Sequence, residues 1–310
     1  MLLRFVVGFS LAGVYPVGMK LAASWYRGDG GAAEDRLGRA IGFLVGALVL
    51  GTAFPHLVRG VSTALPWRTV MLVVSATAVA GATLLLLLVP EGPRLAAPGG
   101  PAPAGVRALL KVFRVPDFRA AALGYFGHMW ELYAFWAFLP VVVAARLAAR
   151  QAAGAAFAAS AISAWSFAII AVGAAGCAVG GLLASRVGGG RVAATQLAWS
   201  GLSCLLLPLL FAAPGWLFFA FMLLWGAAVV GDSPQYSALN AATAPPGQVG
   251  SALTLVVSIG FAITIGSVEL LGWLASRIEV QYLALPLVVG PAIGLFAMRK
   301  LLAKRAAGHA

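Results

Sequence analysis

Charge is what this sequence has least of. Charged residues make up 10% of the chain, against about 25% in an average soluble domain. With 62% of the residues hydrophobic, too little polar surface remains to solvate a globular exterior. Cysteine is nearly absent. Cys177 and Cys204 fall in different apolar runs, which excludes a disulfide framework and fits two small buried packing residues. There is no Gly-x-x-x-x-Gly-Lys-Ser/Thr loop, so nucleotide hydrolysis is not a source of work. There is also no His-x-x-x-His or Cys pair. That leaves neither a metal centre nor a nucleophile–base cluster, and it argues against a membrane-embedded transferase.

What fills the chain instead is long apolar runs. A bilayer core of roughly 30 Å takes about 20 helical residues to cross. Nine runs meet that need: 2–25, 37–58, 67–89, 118–144, 155–184, 192–213, 216–240, 253–275 and 282–298. They are apolar nearly all round, as helices of a lipid-embedded bundle are. The predicted fold class is therefore an all-α membrane protein, a polytopic helical bundle.

The net charge of +12 would indicate nucleic acid in a soluble protein, but here the positive charges sort by membrane side. Crossings alternate, and Met1 is taken as outside. The inner gaps then hold Arg27, Arg36, Arg39, Arg94, Arg107, Lys111, Arg114, Arg119, Arg186, Arg191, Arg299, Lys300, Lys304 and Arg305. The outer side holds Arg4, Arg59, Arg68, Arg146, Arg150 and Arg277, and Lys20 lies within a run. The positive-inside rule predicts a cytoplasmic C-terminus in a bacterial-type inner membrane and no nucleic-acid partner.

The longest gap, 90–117, is rich in proline and glycine and ends in a basic amphipathic stretch, 106–113. It divides the chain into three crossings (1–89), a cytoplasmic linker (90–117) and a six-helix bundle (118–310). An internal repeat accompanies the division. Gly8, Gly13 and Pro16 match Gly226, Gly231 and Pro234 at a constant offset of 218 positions. The first three crossings then correspond to the last three, and the middle three call for a counterpart ahead of Met1. Repeated bundles are a common plan of transporters.

Three local patterns give the chain a resemblance to the major facilitator superfamily, entered at its fourth helix. Arg4-Phe-Val-Val-Gly8, with Ala12 and Gly13 after it, is similar to that family's fourth-helix motif. Gly181-Leu-Leu-Ala-Ser185-Arg186-Val-Gly188-Gly-Gly-Arg191 resembles the second-half copy of the family's gating loop, with Ser185 where an Asp would stand. The basic linker sits where the family's central cytoplasmic loop would. The resemblance implies about nine helices of a twelve-helix fold, with the first three absent. The second run lacks the Gly-Pro pair of the family's antiporter motif.

Three acidic residues fall inside the runs: Glu131, Asp232 and Glu269. An ionised carboxylate at mid-membrane costs at least ~2.5–3.5 kcal/mol, so it faces a cavity or a partner. Glu131 has His128 three residues before it on the same helix face, a plausible proton-binding pair or a structural tie between helices. Tyr125 and Tyr133 lie in the surrounding aromatic run, which could line a substrate cavity or face lipid. Asp232, between Gly231 and Ser233-Pro234, marks a helix break that could bind a proton or cation, or simply cap a helix. Arg4 and Lys20 are candidates for the pathway or for interfacial anchors. Glu269 reaches the outer interface, and His56, after Pro55, ends a helix outside.

The expected function is secondary active transport of a small solute, with protons as the coupling ion. No cofactor and no metal is expected. The alternatives are a truncated, non-transporting membrane scaffold and, behind it, a membrane-embedded transferase.

Overall fold

The computed structural model describes residues 6, 18, 21, 24–25, 31–61, 66–90, 110–149, 159–245 and 248–307. The described residues form nine α-helices and no strand. They are α1 (Gly31–Val61), α2 (Trp67–Leu88), α3 (Pro116–Ala148), α4 (Ala159–Val187), α5 (Gly189–Phe211), α6 (Gly215–Gly231), α7 (Ser233–Thr243), α8 (Val249–Leu274) and α9 (Val289–Ala307). Two short 3-10 turns, Val280–Tyr282 and Leu285–Val288, lead into α9.

Eight spans among the described residues are long and apolar enough to cross a membrane; one of them joins α6 and α7 over Gly215–Thr243. They match eight of the nine expected crossings. The ninth, 2–25, lies almost wholly outside the described residues, as does most of the linker. Of the amphipathic stretch 106–113, the described part makes the 3-10 turn Lys111–Arg114, with Val112 buried. One boundary is corrected. Helix α1 continues through Pro55 to Val61, so His56 sits within the helix, not beyond its end. Proline also lies inside α3 (Pro140) and α5 (Pro208). Neighbouring helices in a bundle tolerate this by re-satisfying the freed carbonyl.

In lipid there is little hydrophobic drive to bring helices together, so close backbone contact through small residues does the work. Helix α4 packs on α6 in this way. A Cβ on Gly176 would strike the Ala227 carbonyl, and one on Gly226 would strike the Ile169 carbonyl. Helices α3 and α9 meet likewise, through Gly127 against the Gly290 carbonyl and Gly124 against Gly294. Helix α1 lies along α4, with Gly42 facing the Cys177 carbonyl and Gly46 the Ala174 carbonyl. Helix α2 has no buried residue.

Lys304 Nζ lies 2.7 Å from Asp117 Oδ2 and ties the end of α9 to the start of α3. The short connection between α4 and α5 turns on Gly188, whose φ of 90° is one that side-chain-bearing residues rarely adopt.

Candidate functional site

Helix α3 organises the polar interior. It starts with Pro116 at its first positions and Asp117 in its first turn, both favourable at a helix N-terminus. From there it runs unbroken past His128 and Glu131, each only 1% exposed. One turn apart on one helix, the two side chains enter different interhelical clefts.

Glu131 points to α5 and α6. Its Oε1 accepts hydrogen bonds from Ser200 Oγ, from Trp225 Nε1 at 3.2 Å and from Cys204 Sγ at 3.5 Å. The Trp225 N–H is shared, since Ser200 Oγ is 2.9 Å away. Phe135, one turn further along α3, packs its ring 4.7 Å from that of Trp225. The carboxyl group thus meets neutral donors from two neighbouring helices, inside the bundle.

His128 points to the junction of α6 and α7. Its Nδ1 is 2.9 Å from Asp232 Oδ1, and its Nε2 is 3.0 Å from Ser233 Oγ. Asp232 is 1% exposed and is at once the C-terminal cap of α6 and the N-terminal cap of α7. Tyr125 and Tyr236 flank the imidazole, at 6.0 and 5.7 Å between ring centroids. Pro234 has no N–H for the carbonyl four residues before it, that of Val230. Cys177 of α4 donates its S–H to that carbonyl at 3.4 Å, which gives this cysteine a defined packing role. An Asp–His–Ser chain has the bonding order of a hydrolytic triad. A triad also needs an accessible nucleophile and oxyanion donors, whereas here the histidine and aspartate are sealed between helices.

The structure therefore brings Glu131, His128 and Asp232 into one buried region, but with His128 on Asp232 and Glu131 on Ser200 and Trp225. Tyr125 is buried against Gly260 of α8, and Tyr133 stacks edge-on to Trp136 and Phe261. Glu269 is exposed near the end of α8. In the loop motif, Gly181 is buried, while Ser185, Arg186 and Arg191 are exposed around the Gly188 turn. Arg4 and Lys20 lie outside the described residues. Sequence patterns do not single out Ser200, Trp225, Cys204 or Ser233. The one available signal is small polar residues within apolar helices, and the chain has many of those.

Comparison with known proteins adds a family and a fold. The family model described as Major Facilitator Superfamily matches residues 1–266. Among solved structures, the chain is similar to the fucose:proton symporter FucP of E. coli. The TM-score is 0.57 at 16% identity, with 90% of this chain and 71% of that chain covered. Among curated proteins, none matches.

Proposed function

The chain belongs to the Major Facilitator Superfamily and is a membrane transporter; from that premise we propose that it moves a small solute by proton symport, with Glu131 and the His128–Asp232 pair as the coupling groups. The observation that carries the proposal is the pairing itself. Among the described residues, two carboxyl groups are buried in the membrane interior; of these, Asp232 has an ionisable basic partner, whereas Glu131 meets neutral donors. A carboxyl group so placed is suited to take up and release a proton rather than to hold a fixed charge. The similarly folded FucP is named a proton symporter, so the fold accommodates this coupling.

The mechanism follows from donor and acceptor capacity. An ionised Glu131 only accepts hydrogen bonds; a protonated one must also donate. Gain or loss of the proton therefore rearranges its bonds to Ser200 and Trp225, and with them the contact of α3 with α5 and α6. His128 grips the α6–α7 junction from the same helix, so a shift of α3 is felt where the chain is already interrupted at Asp232. Such interrupted helices are where transporters of this kind pivot and bind. We take the chain as two bundles, 1–89 and 118–310, rocking about the linker, in an inner membrane with the C-terminus in the cytoplasm.

Reconstituted vesicles test this with a panel of radiolabelled sugars, amino acids and organic acids. The expected result is accumulation of at least one solute under an inward proton gradient, abolished by a protonophore. Glu131→Gln should lose accumulation but keep solute exchange, because exchange needs no proton release. His128→Asn should shift the pH optimum. Failure of every solute to cross would favour the non-transporting scaffold instead.

A further inference from the structure

We propose that the groove between the N-terminal part of α1 and the C-terminal end of α4 is a binding site for an anionic phospholipid of the adjacent leaflet. The groove has a volume of about 470 Å³ and is lined by Arg39, Val179, Leu182, Leu183, Ser185 and Arg186. It lies outside the buried polar cluster around His128 and Glu131.

Its chemistry is divided along one helix. Val179, Leu182, Leu183 and Arg186 follow the i, i+3, i+4, i+7 spacing that puts residues on a single helix face. The three aliphatic side chains are 52%, 49% and 43% exposed, an apolar strip left uncovered by the described residues. The strip ends in Arg186, in the last turn of α4, and Arg39 faces the groove from α1. From Val179 to Arg186 the helix rises roughly 10 Å, enough for several methylene groups beneath a headgroup.

Charge complementarity selects the occupant. Among the described residues, two guanidinium groups and no carboxylate line the groove, and neither arginine is in an ion pair. Ser185 Oγ donates to the Leu182 carbonyl at 2.9 Å, so the donors left for an anion are the two arginines. Guanidinium groups bind phosphate in a planar, two-pronged manner. A phosphate between two arginines, with its acyl chain lying on the strip, satisfies both halves of the site. A free anion would leave the apolar half unused. Basic pockets between helices at the cytoplasmic side are a recurrent way of holding anionic headgroups.

Native mass spectrometry of the full chain in neutral detergent tests this, with dioleoylphosphatidylglycerol, dioleoylphosphatidylcholine and inorganic phosphate titrated in turn. The expected result is a preference of about tenfold for phosphatidylglycerol over phosphatidylcholine, undiminished by millimolar inorganic phosphate. The Arg39→Gln/Arg186→Gln double variant should lose the preference, and Arg39→Lys/Arg186→Lys should keep most of it. Ser185→Asp, a surface change that leaves packing intact, places a carboxylate in the groove and should cut the preference several-fold. An unchanged preference in Ser185→Asp or in the glutamine variant would overturn the proposal. So would displacement of the lipid by inorganic phosphate.

Discussion

Single residues show most sharply what a local pattern can and cannot encode. The membrane-buried acids are legible in the sequence alone, because a carboxylate inside an apolar run is costly and rare. Their partners are not. His128 and Glu131 are three residues apart, and helical geometry makes them neighbours. Yet successive positions of that kind are still rotated by about 60° around the axis, enough for the two side chains to enter separate clefts. The imidazole instead finds Asp232, a contact between distant parts of the chain that no local pattern encodes. The pair carries a stability prediction. His128→Ala leaves the Asp232 carboxylate buried without its partner, a loss of about 3–5 kcal/mol for a broken buried pair. It should appear as a marked fall in the thermal midpoint in detergent. Adding Asp232→Asn should recover much of that loss, since the uncompensated charge is gone. Additive losses in the double variant would mean that the two residues act independently.

Among the helices, the existence of the crossings is legible from apolar length, and eight of the nine expected runs coincide with helical spans among the described residues, though α1 runs past its expected end. The break within the seventh run is legible as Gly231-Asp232-Ser233-Pro234, and the structure divides α6 from α7 there. Which helices touch is not legible. Glycine is frequent throughout, and nothing in a single sequence separates a glycine at a helix crossing from one facing outward. The structure separates them, and the difference has a sign. Gly176→Ala and Gly226→Ala should each lower stability by about 1–3 kcal/mol, the usual cost of overpacking, because the new methyl meets a backbone carbonyl of the facing helix. Gly81→Ala, where nothing lies within 4 Å of the added Cβ, should be neutral or stabilising by up to about 1 kcal/mol through helix propensity. Thermal midpoints of the three variants, measured side by side, check this ordering. Equal effects would show that the close approach of α4 and α6 is not what those glycines provide.

As a whole molecule, the chain is a polytopic helical transporter of the Major Facilitator Superfamily, and among the described residues its buried carboxyl groups lie where α3 meets α5, α6 and α7. In the proposed account, the sidedness of the positive charges orients that bundle, and the buried acids are its means of exchanging protons. Everything proposed for its function turns on solute and proton moving together through Glu131. Vesicles loaded with a pH-sensitive dye and carrying the chain measure this directly, on addition of a transported solute with no imposed gradient. The prediction is inward proton movement that follows solute entry in the wild type and is absent in well-folded Glu131→Gln, while solute exchange persists. Solute entry without proton movement in the wild type, or an unaltered proton signal in Glu131→Gln, would contradict it.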